Sequence, residues 1–214
     1  MWRKKIDTSG ASAAVDPVSR AVEALRHGEV IVFPSETFYG LGADALNAAA
    51  VERVGSLKGR QADSPIAVIV ADREMLERVV AEIPPAAEQL IGRFWPGPLT
   101  LVLPARSHLP SPLLNRAGGI GVRMSSHPLA MRLVREFGHP VTATSANPSG
   151  QEPSRTVAEA RSYFTGKVSV YVDGGRLTAA KGSTVLEIVS GDLRMIREGE
   201  VSLAEIRKAL RSSP

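Results

Sequence analysis

Residues 34–42 read Pro-Ser-Glu-Thr-Phe-Tyr-Gly-Leu-Gly, directly after the apolar run Val30-Ile31-Val32-Phe33. Four consecutive apolar residues before a proline predict a short buried strand that ends at Pro34. The segment that follows carries hydroxyl groups, one carboxylate and two glycines. Glycine lets a backbone approach a ligand closely, so we expect a binding segment at this strand end.

Outward from this segment, helical and strand-like patterns alternate along the whole chain. Helix starts are predicted from an Asp16-Pro17 cap, from Asn47 and from two capping boxes, Thr156 with Glu159 and Ser202 with Glu205. The predicted helices span residues 16–28, 47–59, 72–80, 84–94, 128–137, 156–164 and 202 onward. The predicted strands span residues 30–33, 66–70, 99–103, 120–124, 141–146, 168–172, 184–189 and 193–196, the last two as a hairpin. The fold class expected is α/β, an open, mixed and twisted sheet with packed helices.

The bulk composition sets limits on the class of protein. The 214 residues are 43% hydrophobic and 22% charged with a net charge of +4, which suits one globular domain. The absence of cysteine excludes disulfides, thiolate zinc sites and cysteine nucleophiles. No apolar run is long enough for a membrane span, and no signal peptide is recognisable. We expect a flexible leader over residues 1–15, a single domain over 16–214, no membrane association and a cytoplasmic location.

Polar segments stand at several of the predicted strand ends. Each offers a hydroxyl, a cationic side chain or a glycine, which are the groups that bind anionic oxygens. Taken singly, each segment is typical of an ordinary solvated turn. Together they predict one positive cavity for a ligand such as a nucleoside triphosphate. The segments are residues 34–42, 58–60, 119–123, 144–147 and 181–184, with Arg197 as a sixth site.

Several common catalytic motifs are absent from the sequence. There is no phosphate-binding P-loop, no dinucleotide fingerprint and no serine nucleophile elbow. The four histidines have no metal-ligand spacing. Group transfer by positioning and charge stabilisation needs no nucleophile motif, so it remains the favoured chemistry.

The polar segments, in their order along the chain, resemble the YrdC-like family. The matching motifs cover roughly residues 18–199, and they are the 34–42 segment, Lys58-Gly59-Arg60, Phe94-Trp95-Pro96-Gly97-Pro98-Leu99-Thr100, Gly121-Val122-Arg123-Met124, Thr144 to Gly150, Gly182-Ser183-Thr184-Val185 and Arg197. The resemblance is to the short, single-domain form of the family. It implies a YrdC-like open α/β fold with a basic concave cavity.

The resemblance also implies a reaction and a set of site residues. The reaction joins L-threonine, bicarbonate and ATP into threonylcarbamoyl-AMP and pyrophosphate, for modification of adenosine 37 of tRNA. By family similarity Lys58 and Arg60 are catalytic, and the threonine contacts are Thr37, Arg123 and Ser183. The nucleotide contacts implied are Lys58, Arg60, Ser64, Ser145, Asn147, Pro153 and Arg197. Mg²⁺ is expected to arrive with ATP, without a dedicated protein site. The implied partners are threonylcarbamoyl-transferase proteins, with tRNA as an indirect one.

The sequence departs from the family pattern at Gln61, Ser64 and Ile69, which concerns the phosphate and amino-acid contacts. Two alternatives stay open: a relative of the same fold that lacks synthase activity, and an RNA-binding module that uses the basic cavity. The aromatic content of 5% does not favour a base-stacking surface. Glu36 is interpreted as a structural hydrogen-bonding residue, with a role as general base as the alternative. Arg155, Arg161 and Arg176 are interpreted as surface residues.

Overall fold

The computed structural model describes residues 16–59, 65–189 and 192–211. Within these ranges the helices are α1 Pro17–Arg26, α2 Ala48–Lys58, α3 Arg73–Glu77, α4 Pro85–Phe94, α5 Pro128–Phe137, α6 Val157–Phe164 and α7 Leu203–Arg211. The strands are β1 Ile31–Pro34, β2 Tyr39–Gly42, β3 Val68–Ile69, β4 Leu99–Pro104, β5 Gly119–Arg123, β6 Val141–Thr142, β7 Thr144–Ser145, β8 Val170–Tyr171, β9 Thr184–Val189 and β10 Asp192–Arg197. The mixed α/β class expected from the sequence is confirmed.

The helix starts follow the predicted caps. The Asp16 carboxylate accepts a hydrogen bond from the Ser19 backbone N–H at 3.0 Å, and Pro17 opens the first turn of α1. Thr156 and Glu159 form the reciprocal capping box of α6. These local side-chain bonds satisfy N–H groups that the first helical turn leaves unpaired.

The strands form two sheets, where the sequence predicts one. The smaller sheet has the order β7-β2-β1-β8, and the larger has the order β10-β9-β4-β5-β3-β6. Antiparallel pairs lie beside parallel ones in both sheets, for example β1 with β2 and β1 with β8. The β9–β10 hairpin is antiparallel as predicted. Its turn, residues 190–191, lies outside the described residues.

The predicted strand 141–146 is divided between the two sheets. Thr142 pairs with Val68 of β3 in the larger sheet, and Thr144 pairs with Leu41 of β2 in the smaller sheet. Between them, the Ala143 N–H donates to the Ala67 carbonyl at 2.7 Å. The chain therefore crosses from one sheet to the other at residue 143, and the two sheets meet there.

Several other predicted elements have different boundaries in the structure, among them the strand 168–172, which contracts to β8. Tyr39–Gly42 was predicted as part of a binding segment and forms the strand β2, because its backbone pairs with β1 and β7. The predicted strand 66–70 contracts to β3. The helix predicted to reach Val80 ends at Glu77, because Val80 forms an antiparallel bridge with Ala105.

The apolar faces of α1 and α5 pack onto the smaller sheet. In α1, Val18, Ala21, Val22 and Leu25 are all buried, as their helical spacing predicts. This helix packs against α5 and β8, and α4 packs against α7. Among the described residues, no helix combines the length and hydrophobicity that crossing a membrane requires. The leader proposed over residues 1–15 lies outside the described residues, and the domain boundary at residue 16 stays a prediction.

Candidate anionic-ligand site

A cavity of about 800 Å³ lies where the two sheets meet. We call it the central cavity. Both sheets contribute to its lining, which consists of Phe33, Ser35, Thr37, Phe38, Tyr39, Gly40, Pro65, Ala67, Thr100, Val102, Asn115, Gly121, Arg123, Ala143, Thr144, Ser145, Pro153, Gly182, Ser183, Val185, Glu187, Arg194, Ile196, Arg197 and Glu198. Its size is typical of a small-molecule site. Six predicted site residues are therefore brought together in one place: Thr37, Arg123, Ser145, Pro153, Ser183 and Arg197.

The 34–42 segment presents Thr37 to the central cavity through a compact turn. The Ser35 hydroxyl donates to the Phe38 carbonyl at 2.7 Å, and its oxygen accepts from the Thr37 backbone N–H at 3.3 Å. The Ser35 and Thr37 hydroxyl oxygens lie 3.1 Å apart. Such side-chain bonds to nearby backbone hold a turn in one conformation. Thr37 is thereby fixed at the wall with only 4% of its surface exposed.

Arg123, the last residue of β5, is held by the largely buried carboxylate of Glu36. Its guanidinium donates to Glu36, and the Ser125 hydroxyl donates to the other oxygen of the same carboxylate. Arg123 lines the cavity, whereas Glu36 is not among the lining residues. These contacts agree with the structural interpretation of Glu36. The pair leaves Arg123 oriented, with donors that Glu36 does not occupy.

Arg197 and Ser183 form a second polar group on the wall. The Arg197 guanidinium donates to the Ser183 carbonyl at 2.8 Å and to the Ser183 hydroxyl oxygen at 3.2 Å. The Thr100 hydroxyl also donates to that oxygen, at 3.0 Å. Since the Ser183 oxygen accepts from both neighbours, its own hydrogen is left to donate toward a ligand.

The charges of Arg197 and Arg123 act on one another. Partial burial of the guanidinium lowers the pKa of Arg197, and the positive charge of Arg123 lowers it further. Among the residues that the structure describes, no carboxylate lies within ion-pair distance of Arg197. Two cations that repel one another across a partly buried cavity favour an anion between them.

Lys58 and Asn147 lie behind the wall and are not among its lining residues. The Lys58 ammonium donates to the carbonyls of Ser145 at 2.7 Å and Asn147 at 2.6 Å. The Asn147 side chain donates to the carbonyls of Pro148 and Gln151, at 2.8 and 2.7 Å. Their observed contacts hold the segment that presents Ser145. Direct contact of either with a nucleotide stays a prediction.

Arg155 has a role that the surface interpretation missed. Its guanidinium donates to the Ala179 carbonyl and stacks over the Phe38 ring, 5.2 Å from the centroid. Tyr39 holds residues 173–183 near their start, because its hydroxyl donates to the Gly175 carbonyl at 2.7 Å. Residues 173–183 are therefore tied to the 34–42 segment, and Ser183 with them.

Two predicted site residues, Arg60 and Ser64, lie outside the described part of the chain. Both fall in residues 60–64, so their predicted roles are untested. The described part of the chain contains no group of three or more His, Asp or Glu side chains suited to a metal ion. The sequence reasoning also missed Asn115 and Glu187 of the lining. Strand alternation from Ser183 could have found Glu187, since residues 183, 185 and 187 share one face.

The two-sheet α/β fold brings cationic and hydroxyl side chains together around one cavity, an arrangement that suits a small anionic ligand. The family model Sua5_yciO_yrdC, described as "Telomere recombination", matches residues 23–199. The chain belongs to the Sua5/YciO/YrdC family, which includes the YrdC-like proteins that its motifs resemble.

Several relatives carry the name threonylcarbamoyl-AMP synthase. One from Pyrococcus abyssi is 39% identical over 186 residues, covering 87% of this chain and 55% of the relative. One from Halorhodospira halophila is 40% identical over 157 residues, covering 73% of this chain and 82% of the relative.

A solved structure shares the fold closely. The crystal structure of P. abyssi Sua5 complexed with L-threonine has a TM-score of 0.87 and 38% identity, covering 90% of this chain and 57% of that one. The present chain thus spans little more than half the length of the P. abyssi protein.

Proposed function

We propose that the protein is a nucleotidyltransferase that makes threonylcarbamoyl-AMP and pyrophosphate from L-threonine, bicarbonate and ATP. The observation that carries the proposal is that Arg123, Arg197 and Ser183 all line the central cavity. The synthase names of the relatives and the threonine bound to P. abyssi Sua5 support the same assignment. Threonylcarbamoyl-transferase proteins are the proposed consumers of the product, with tRNA reached through them.

The three substrates all carry negatively charged groups, and the cationic side chains of the central cavity can offset the mutual repulsion of these groups. The threonine carboxylate, bicarbonate and the ATP phosphates are all negative and repel one another when they share a site. Arginine binds both carboxylates and phosphates through forked donors. Arg123, positioned by Glu36, is proposed to bind the threonine carboxylate. Arg197, which has no described carboxylate partner, is proposed to bind the phosphates.

Hydroxyl groups complete the proposed threonine and nucleotide contacts. Thr37 and Ser183 both line the cavity, and their hydroxyls are fixed by neighbouring bonds. Both are proposed to contact threonine. Ser145 and Pro153 line the cavity beside them and are proposed to contact the nucleotide. Arg60 and Ser64 keep their proposed nucleotide roles by family similarity.

The proposed chemistry has two steps. The neutral threonine amine attacks the carbon of bicarbonate, a C–N bond forms, and water leaves to give a carbamate. A carbamate oxygen then attacks the α-phosphorus of ATP, and the bond to the β-phosphate oxygen breaks with release of pyrophosphate. Positioning and charge stabilisation supply the catalysis, because no covalent enzyme intermediate is needed. Mg²⁺ enters with ATP and neutralises part of the triphosphate charge.

The test is pyrophosphate release by the purified protein with ATP, Mg²⁺ and bicarbonate. Release should require L-threonine and should not occur with D-threonine or L-valine. Ser183→Ala should raise the KM for threonine, whereas Ser162→Ala, on the exposed side of α6, should not. Pyrophosphate release that ignores threonine, or none at all, would favour the relative without synthase activity. RNA binding without ATP turnover would favour the RNA-binding alternative.

A further inference from the structure

A buried carboxylate lies in the central cavity, at a distance from the Arg197 and Ser183 group. Glu187 lines the cavity and is 5% exposed. Alternation along β9 places it on the same face as Val185, and Ser183 directly precedes the strand in the same alternation. Glu187 is four residues from Ser183, which corresponds to about 13 Å along a strand. The cavity lining therefore has Arg197 with Ser183 in one part and Glu187, paired with Arg194, in another.

The contacts of Glu187 hold its side chain in place and leave it able to accept further bonds. The Asn115 amide donates to Glu187 Oε1 at 2.7 Å. Asn115 is itself oriented, since its side-chain oxygen accepts from the Gly119 backbone N–H at 2.7 Å. Glu187 Oε2 lies 3.5 Å from Arg194 Nε, whose side chain is 76% exposed, so this ion pair is weak. A carboxylate accepts about four hydrogen bonds, so Glu187 retains acceptor capacity.

A phosphate-binding role does not account for this carboxylate. Its negative charge repels phosphates, and its burial costs free energy that ligand donors can offset. Three apolar lining residues come from β4, β9 and β10, and we call them the apolar strip: Val102, Val185 and Ile196. Val102 pairs with Glu187. Ile196 is 49% exposed, so its apolar surface is open to a ligand. Apolar surface beside a buried acceptor suits a heterocycle that carries hydrogen-bond donors.

We infer that Glu187 binds the nucleoside half of ATP and directs the triphosphate toward Arg197. Its carboxylate accepts a hydrogen bond from a ribose hydroxyl or from the exocyclic amine of the base. The base packs on the apolar strip. Glu187 is therefore a specificity-determining residue that separates ATP from simple polyphosphates. This inference rests on the proposed function in taking ATP as the ligand.

The first experiment measures equilibrium binding by calorimetry, without threonine or bicarbonate. Glu187→Gln keeps the shape and the Asn115 bond but removes the charge. The substitution should weaken ATP binding about tenfold, which corresponds to the difference between a charged and a neutral hydrogen bond. Tripolyphosphate should bind equally or more tightly. Glu198→Gln is the matched control, since it removes the same charge from an exposed lining position. The control substitution should change the affinities for ATP and tripolyphosphate by the same factor.

The second experiment uses the unaltered protein, so it does not depend on a variant folding. Affinity for ATP is compared with 2′-deoxy-ATP, 3′-deoxy-ATP and purine riboside triphosphate, which lacks the amine. A loss of about tenfold or more with one analogue identifies the donor that Glu187 accepts from. Equal affinity for all four ligands would overturn the inference. A Glu187→Gln variant whose affinities for ATP and tripolyphosphate fall by equal factors would also overturn it, because that result indicates a purely structural role.

These outcomes are separable from the failure of the proposed function. Nucleoside selectivity in the binding assays, without threonine-dependent pyrophosphate release, would keep Glu187 as a nucleotide-selecting residue and remove the synthase reaction. Threonine-dependent pyrophosphate release without nucleoside selectivity would keep the synthase reaction and remove the nucleotide-selecting role of Glu187. Absence of ATP binding by the unaltered protein would overturn both.

Discussion

The guanidinium of Arg123 is hydrogen-bonded to the carboxylate of Glu36 in an ion pair whose side chains are only 8% and 12% exposed. The pair joins the 34–42 segment of the smaller sheet to the end of β5 in the larger one. It therefore orients a cavity cation and fastens the two sheets at the same point.

The first prediction concerns the loss of one partner of this pair. Glu36→Ala leaves Arg123 buried without its counter-charge, which typically costs about 3–5 kcal/mol of stability. Urea unfolding at neutral pH measures the change in free energy. Glu77→Ala breaks an exposed pair with Arg73, side chains 54% and 53% exposed, and should cost less than about 1 kcal/mol. Equal effects of the two substitutions would contradict a structural role for Glu36.

The second prediction concerns Lys58 behind the cavity wall. Lys58→Met removes the donor from two carbonyls, those of Ser145 and Asn147, and should cost about 1–3 kcal/mol. Because the freed segment presents Ser145, affinity for ATP should fall as well. Denaturant unfolding and calorimetric titration measure the two effects.

Lys167→Met, at an exposed position, is the control and should change neither quantity. A Lys58→Met variant of normal stability that has lost ATP binding would show direct phosphate contact instead of support for the segment.

The third prediction is a dependence of stability on pH at Tyr39. Burial raises the pKa of Tyr39 to about 12, from 10.0 for the free side chain. The folded state thus favours the neutral phenol, and this contribution is fully present below pH 10. It is lost as the pH rises from about 10 toward 12, because the unfolded chain releases the proton first.

Tyr39→Phe provides the comparison for this titration. Urea midpoints between pH 9 and 11.5 should fall more steeply for the unaltered protein than for the variant. The variant should be less stable below pH 10, since it lacks the bond to the Gly175 carbonyl. Parallel pH profiles would show that Tyr39 ionises alike in the folded and unfolded states.

The fourth prediction concerns the mutual repulsion of Arg123 and Arg197. An anion bound between them relieves it, so pyrophosphate should stabilise the protein. At a concentration one hundred times its Kd the gain is about 2.7 kcal/mol. Thermal unfolding with increasing pyrophosphate measures it.

Arg197→Ala should remove most of this stabilisation, and added salt should weaken it in the unaltered protein. Arg176→Ala, an exposed position, should leave it intact. Stabilisation of Arg197→Ala equal to that of the unaltered protein would place the anion elsewhere.

Local chemistry in the sequence was enough to predict the helix caps, the β9–β10 hairpin and the polar segments that converge. The Asp16 cap, the Thr156 and Glu159 box and the buried face of α1 each depend on neighbours a few residues away. Family motifs added a list of site residues, and six of these line one cavity.

Contacts between distant residues were decided only by the tertiary structure. No local pattern divides residues 141–146 between two sheets, since that depends on pairing with β2 and β3, which are remote in sequence. The bond between Glu36 and Arg123 and the clasp of Arg155 on residues 173–183 likewise join remote segments.

The position of Glu187 in the cavity likewise depends on contacts between distant residues. Glu187 alternates with Ser183 and Val185, so its face could be predicted from the strand, but its burial beside Asn115 required the pairing of β4 with β9. The sequence determined which groups are available and which local turns they favour. Long-range pairing determined which of them share a cavity, because strand register and sheet order are set by packing across the whole fold.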